Sequence, residues 1–424
     1  MNKSFPNNNR LSKVTVDSLG VHGDGIANAE GGRYFIPYSA PGDILDLRIG
    51  ARREDGHAAT IETIIRGGPG RTAPACRHFE TCGGCTLQHI ETATVAAIKR
   101  ELIAVALSRH GFRDLAIRPA ISVPPGQRRR VRFAFFRAQK NAFGFSAARS
   151  NQIVDISECP VTRPAITALI APLKALAADI ASLGRRAEFL VTETDSGIDL
   201  LLRPDRRADP DLDERMALAA FAERYDLARI GWEAPQGYEP LAARRAPEVA
   251  FGPARVALPP NAFLQPSRGG ERAIMDAVGA AAAGAKNIAD LYAGCGALSF
   301  PLSTIAPVHA YEGDSQMVQA IRRADSERAV TAEIRDLARQ PLRQTELKNF
   351  DTIVFDPPRA GAKTQAAAIA ESEAATVIAV SCNPATLGRD LRLLADGGYR
   401  IESVQPIDQF PWSAHVEAVA VLRR

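Results

Sequence analysis

Six cysteines in 424 residues are too few for a disulfide scaffold. No stretch approaches the roughly 18 consecutive apolar residues of a membrane span. The opening MNKSFPNNNR is polar with no apolar run behind it, which argues against a signal peptide. The expectation is a cytoplasmic protein with no membrane partner and no obligate protein partner. Acidic and basic residues nearly cancel, 48 against 52, so a net charge of +4 does not by itself announce a nucleic-acid partner. There is no internal repeat and no low-complexity tail. What is present, 46% hydrophobic and 24% charged residues, suits a chain with a large core and excludes disorder throughout. At about 150 residues per domain the length implies roughly three domains.

Residues 11–67 hold five short strand-like runs, KVTVDSLG, GIANA, GRYFIPYS, DILDLRIG and HAATIETII, separated by Gly, Pro and Asp turn signals. So many strands in so short a span predict a small closed barrel, a domain placed at 8–67. GGPGRTAP then reads as a linker. Val95, Ile98, Leu102, Val105 and Ala106 share one face of a helix expected over 91–110, with Gly111 as its stop. Strands are expected over 121–160, helix over 164–184 and a mixture over 187–250. From about 256 the runs NIADLY, PVHAYE, TIVFD, TVIAVS and HVEAVAVL alternate with helical segments. Continuous apolarity implies strands covered on both faces, hence a mostly parallel sheet. The fold class expected is α/β, with a Rossmann-like domain at 256–424 behind the small β-barrel and a central α+β domain at 75–255. Helix 91–110 is a candidate to pack on the last domain.

In such sheets ligands bind at the carboxyl ends of the strands. The first strand ends in Asp290-Leu-Tyr-Ala-Gly294-Cys-Gly296, where glycines let a nucleotide-like ligand approach the backbone. About 20 residues on, Glu312 can accept from both ribose hydroxyls. No G-x-G-x-x-G and no Walker lysine is present, which favours a cofactor with ribose and adenine but no pyrophosphate, S-adenosylmethionine. Asp356-Pro357-Pro358-Arg359 holds a carboxylate rigidly at the sheet edge. It is similar to the fourth motif of many adenosylmethionine-dependent methyltransferases. Arg359 stands where amino-methylating enzymes carry an aromatic, which argues against attack at an exocyclic amine. Cys382, just past TVIAVS and followed by Asn383-Pro384, is a candidate nucleophile, although a free cysteine is most often a small buried hydrophobe. Cys295 reads as such filler. Glu417 either faces water or, in a dry cleft, has a raised pKa and serves as a base.

Together NAFLQP (261–266), DLYAGCG (290–296), YEGD (311–314), DPPRAG (356–361), SCNPATLGRDL (381–391) and HVE (415–417) resemble the RNA (uracil-5-)-methyltransferase family in content and order. The N-terminal barrel resembles a TRAM domain, an RNA-binding module. The resemblance implies that Cys382 adds to C6 of uracil, that C5 then takes the methyl group, and that Glu417 removes the C5 proton. By the same resemblance Gln265, Tyr292, Glu312 and Asp356 contact adenosylmethionine, with Asp336 on the adenine side. Ala297 departs from the Asn often found there.

Cys76-x5-Cys82-x2-Cys85 with the distant Cys159 offers four soft ligands, suited to zinc or an iron–sulfur cluster, and spacing alone does not choose. Within the resembled family, this spacing followed by Glu158-Cys159-Pro160 belongs to the 4Fe-4S branch. Between Gln127 and Arg149 lie seven Lys or Arg and no acid. Arg128, Arg130 and Arg132 alternate with Val131, Phe133 and Phe135, which predicts a basic, phosphate-binding strand face over an apolar one. The target uridine must leave any stack to reach Cys382. Four-cysteine and TRAM-like modules together point to the ribosomal branch, so 23S rRNA is the expected substrate and tRNA the second. Two other classes stay open, a base amino-methyltransferase and a non-catalytic iron–sulfur RNA-binding factor.

Overall fold

The computed structural model describes residues 9–53, 55–324 and 330–424. The opening segment 1–8, with the first residue of the unit expected at 8–67, lies outside the described residues.

The N-terminal part is a six-stranded sheet in the order Arg10–Thr15, Ile44–Arg53, Gly56–Arg66, Gly32–Ile36, Gly25–Ala29, Ser18–Leu19. The run read as one strand, KVTVDSLG, is two. The break falls at Asp17, whose carboxylate accepts from the Asn28 backbone and side-chain N–H groups at 2.8 and 3.0 Å. The two edge strands of this sheet are therefore consecutive in the chain, so the sheet must curl back on itself. Val16 N–H donates to Asp43 O across one edge and Asp17 N–H to Ile26 O across the other, at 2.9 and 2.8 Å. Alternating side chains, among them Val14, Tyr34, Ile36, Leu45 and Leu47, fill the inside.

A seven-stranded central sheet follows, Ile153–Asp155, Ala142–Ser146, Arg130–Phe136, Arg186–Thr194, Gly197–Pro204, Arg229–Ala234, Gly237–Ala243. Its core is built on Phe133, Phe143 and Phe189, whose rings meet at 5.2 Å. Two helices, Pro164–Thr167 and Ile170–Asp179, occupy most of the single helical span expected over 164–184.

The third sheet has eight strands, in the order Val330–Ile334, Val308–Glu312, Ile288–Leu291, Thr352–Phe355, Thr376–Ser381, Glu417–Arg423, Arg400–Asp408, Ile121–Ser122. The first five run parallel and Glu417–Arg423 is antiparallel to both of its neighbours. Strand order reverses at Ile288–Leu291, opening a crevice at the carboxyl ends on either side of it. Two pieces from before residue 256 join this layer. Ile121–Ser122 adds the last strand, and helix Thr92–Ser108 buries Ile103 and Leu107 against Leu387, Leu391 and Val404. This helix stops three residues before Gly111, which takes φ +87°. Among the described residues no helix is long and apolar enough to cross a membrane.

Candidate active site

A single cavity of about 1290 Å³ opens at the carboxyl ends of the third sheet. It is lined by all seven residues expected to bind cofactor or do chemistry, Gln265, Tyr292, Glu312, Asp336, Asp356, Cys382 and Glu417. The four early cysteines line the same cavity further out.

The cofactor side is shaped by backbone. Tyr292 sits at φ +64° as the strand turns, and Gly294 and Gly296 take φ +56° and +86°. A Cβ on Gly296 would fall 2.6 Å from the Phe300 ring, so the turn closes only around glycine. Glu312 accepts from the Gly294 and Asp314 N–H groups, both at 2.9 Å, which fixes its carboxylate beside the loop. Asp336 is held in the same way by Ala338 N–H at 3.1 Å. Ala297 lines this part of the cavity. One residue the motif reading passed over stands out. Asp290 is buried, accepts from Ser299 Oγ at 2.5 Å, and has its other oxygen unpartnered among the described residues. Burial, less the help of Ser299, pushes its pKa up to about 7.

On the chemical side, Cys382 follows the last residue of Thr376–Ser381 and precedes Asn383, whose side chain caps helix Pro384–Asp396. Its thiol is half-buried. Burial raises its pKa first, then the charges of Glu417 and Asp356, while Arg359 lowers it. The two orientations left open for Glu417 are decided by the fold. The residue is 3% exposed and its carboxylate accepts from Gln409 Nε2 at 3.0 Å. Burial raises its pKa, opposed by Gln409 and Arg359. Asp356 is also raised, by burial, then by the charge of Glu417. Gln409 Nε2 further donates to Gln265 Oε1 at 2.7 Å, and Gln265 Nε2 lies 3.4 Å from Asp356. Two amides thus bridge the two carboxylates. Gln409 carries no motif, and only its place beside the apolar strand of Glu417 could have marked it. Arg359 is pinned through its carbonyl to Asn383 Nδ2 at 3.0 Å, and its guanidinium meets His415 Nδ1 at 3.1 Å.

Cys76, Cys82, Cys85 and Cys159 are all free thiols, and the pKa values of Cys82, Cys85 and Cys159 are raised by burial and by the charge of neighbouring cysteines. Burial pushes Cys85 up to about 12. His78 N–H and Gly84 N–H donate to the sulfurs of Cys76 and Cys82 at 3.4 Å, and the Arg128 cation lies near Cys159 and Cys85. Among the described residues no three His, Cys, Asp or Glu side chains are grouped as a single metal ion requires.

The basic strand face is part of the cavity wall, with Arg128, Arg130 and Arg132 lining it together with the largely buried Val131, and Phe133 and Phe135 buried behind. The expectation that these arginines lack acidic partners fails for Arg132, which lies 3.7 Å from Glu188 on the adjacent strand. Sequence distance hid that neighbour. Arg130 is half-buried, and this desolvation with the crowding charges of Arg132, Arg203 and Arg128 brings its pKa down to about 10. Arg129, between them, points the other way and pairs with Glu271 inside the protein.

Residues 255–424 match the model of the tRNA (uracil-5-)-methyltransferase family. A 23S rRNA (uracil(1939)-C(5))-methyltransferase, RlmD, of Halomonas elongata is 30% identical, over 97% of this chain and 89% of its own. The chain belongs to the RNA (uracil-5-)-methyltransferase family. This methyltransferase is similar over its whole length to further RNA methyltransferases, one from Rhizobium meliloti at 41% identity, covering 97% of this chain and 99% of that one. The tRNA (uracil-54, C5)-methyltransferase of Pyrococcus abyssi, solved with S-adenosyl-L-homocysteine, shares the fold of this methyltransferase. It superposes with a TM-score of 0.73 at 22% identity, over 97% of this chain and all of that one. The chain is therefore an enzyme of adenosylmethionine-dependent RNA methylation, and the amino-methyltransferase and non-catalytic readings fall away.

Proposed function

We propose that the enzyme is a cytoplasmic methyltransferase that modifies C5 of a uridine in 23S rRNA through a covalent bond from Cys382. The observation that carries this reading is the meeting of Cys382, Glu417 and Asp356 in one cavity with the glycine turn and Glu312. Gln265, Tyr292, Glu312, Asp336 and Asp356 are the residues assigned to S-adenosylmethionine, which supplies an electrophilic methyl group when bound. The Cys382 thiolate adds to C6 of uracil, giving C5 the electron density to take that methyl group. Glu417 then accepts the C5 proton, the C5–C6 double bond re-forms, and the C6–S bond breaks to return the thiolate. Arg359, close enough to lower the pKa of both Cys382 and Glu417, favours the ionised form of each.

Cys76, Cys82, Cys85 and Cys159 are assigned to a 4Fe-4S cluster. Their softness, the N–H groups aimed at two sulfurs and the nearby Arg128 charge all suit bound thiolates. These four thiolates would hold the cluster, which would supply a structural or RNA-orienting element of the cavity wall and no redox chemistry. Domains are assigned as a TRAM-like RNA-binding unit at 8–67, a central iron–sulfur unit at 75–255 and the catalytic unit at 256–424. The basic strand, with Arg130, supplies phosphate contacts.

Release of tritium from [5-³H]uridine in 23S rRNA fragments and in tRNA tests the reading. Release from the rRNA fragments with tRNA inert is expected. Release from tRNA alone would move the substrate to the second choice, and release from neither would remove the C5 reaction.

A further inference from the structure

Two carboxylates, the buried Glu417 and the half-buried Asp356, line the reacting centre, and the chemistry requires one of them to be ionised. Glu417 and Asp356 both have raised pKa values, and the charge of Glu417 pushes Asp356 further. A single negative charge in such a pair settles on whichever carboxylate the protein solvates better. Around Glu417 the donors are Gln409 Nε2 at 3.0 Å and the Arg359 charge. Among the described residues Asp356 has only the Gln265 amide, at 3.4 Å, and the charge of Asp290 raises its pKa further. The remaining groups facing this pair are the Cys382 thiol and, on the approach to Glu417, His415.

Gln409 is held for this contact from three sides. Its neighbour Asp408 is paired with Lys99, a fully buried lysine on helix Thr92–Ser108, whose ammonium also donates to Phe410 O at 2.9 Å. Trp412 O, three residues on, accepts from Thr86 and Leu87 N–H, both at 2.9 Å, just beyond Cys85. Beneath it lies Gly270, in the first turn of helix Arg268–Ala281. A Cβ there would fall 2.3 Å from Gln409 Oε1 and 2.5 Å from its Cβ. The helix thus gives up a favourable alanine position so that the Gln409 side chain can lie against its backbone.

We propose that Gln409 is a positioning residue for the last step, donating to Glu417 so that this carboxylate, and not Asp356, carries the charge and takes the C5 proton. The proposal rests on the reading of Glu417 as the base. Addition of Cys382 and methyl transfer do not need that proton removed, whereas re-forming the C5–C6 bond and breaking C6–S do. Loss of Gln409 therefore stalls the reaction after methyl transfer, with RNA still attached to Cys382.

The test compares Gln409→Leu, Gly270→Ala, Glu417→Gln and the unaltered enzyme on ordinary uridine-containing 23S rRNA fragments with adenosylmethionine. The readouts are RNA–protein adduct on denaturing gels, the pH profile of turnover, and adenosylmethionine binding as a control on folding. For Gln409→Leu, kcat at neutral pH is expected to fall by about tenfold or more, the effect of losing a hydrogen bond to a charged group. Adduct accumulates, and activity recovers at higher pH as Glu417 ionises without its donor. Gly270→Ala, which displaces Gln409 from outside the cavity, gives the same signature if the leucine variant does not fold. Adduct with Glu417→Gln but normal turnover and an unshifted profile with both other variants overturns the proposal and leaves the base in place. Failure of Gln409→Leu and Gly270→Ala to form adduct, with adenosylmethionine still bound, also overturns it. Absence of adduct with Glu417→Gln removes the reading of the base, and the proposal with it.

Discussion

Replacing Lys99 by methionine isolates the most deeply buried ion pair among the described residues. The Lys99 side chain is fully buried and its partner Asp408 is 4% exposed. Burial pulls the lysine pKa down and pushes the aspartate up, each resisted by the other's charge. Methionine fills the lysine volume but leaves Asp408 with only Phe410 N–H, at 3.2 Å. Breaking one side of a buried pair costs about 3–5 kcal/mol. At roughly 2–4 °C per kcal/mol for a unit of this size, the midpoint of thermal unfolding should fall by about 6–20 °C. The sign of the pH dependence follows from the orphaned carboxylate. With its folded pKa raised above the unfolded value, it does least harm below that unfolded value, and the deficit grows as pH rises through the folded one. Adding Asp408→Asn, which still accepts from Phe410 but carries no charge, should recover more than half of the loss. Calorimetry from pH 5 to 8 reads all three. A loss under about 1 kcal/mol, or a double variant less stable than the single one, would refute the reasoning.

Other consequences can be measured alongside. Asp290→Asn removes a group ionised only above about 7 in the folded protein, so it should stabilise the ligand-free enzyme at pH 8 and leave it unchanged at pH 4. Titrations of adenosylmethionine should weaken from pH 8 to 6 in the unaltered enzyme, as the Asp290 carboxylate lining the cavity protonates and loses its attraction for a cationic ligand, and lose that dependence in the variant. Phe263 lines the cavity yet is 55% exposed, which leaves its ring free to stack on an unstacked base. Phe263→Ala should raise the KM for RNA by about tenfold, with adenosylmethionine binding unchanged in dialysis. Protein purified without oxygen should show broad visible absorption that Cys85→Ala removes, and a colourless protein carrying zinc would contradict the cluster assignment.

Of the seven residues proposed for cofactor and chemistry, Tyr292, Glu312, Asp336, Asp356 and Cys382 were legible because each stands at or just past the carboxyl end of a parallel strand. Glu417 opens the antiparallel strand and Gln265 lies on the loop before helix Arg268–Ala281, so those two were legible from their motifs alone. The parallel strands of the third sheet were legible from their continuous apolar runs. What stayed hidden depends on approach between distant segments. Helix Thr92–Ser108 reads as amphipathic, but nothing in its pattern announces that Lys99 points inward to a carboxylate 309 positions away. Gln409 and Gly270 have no signature because their roles lie in a contact with each other. Glu188 escaped notice beside Arg132 since strand pairing, not sequence, makes them neighbours. The split of KVTVDSLG at Asp17 was invisible for the same reason, the partner Asn28 lying on another strand.

The central claim is that Cys382 bonds to the uridine it methylates. Fluorine at C5 cannot leave as a proton, so 5-fluorouridine-substituted 23S rRNA fragments with adenosylmethionine should trap the enzyme as a complex that survives denaturation. Peptide mapping should place the RNA on Cys382, and Cys382→Ala should give no complex. Folded enzyme that binds adenosylmethionine and methylates ordinary rRNA, yet leaves no complex with the fluorinated RNA, would contradict the covalent route.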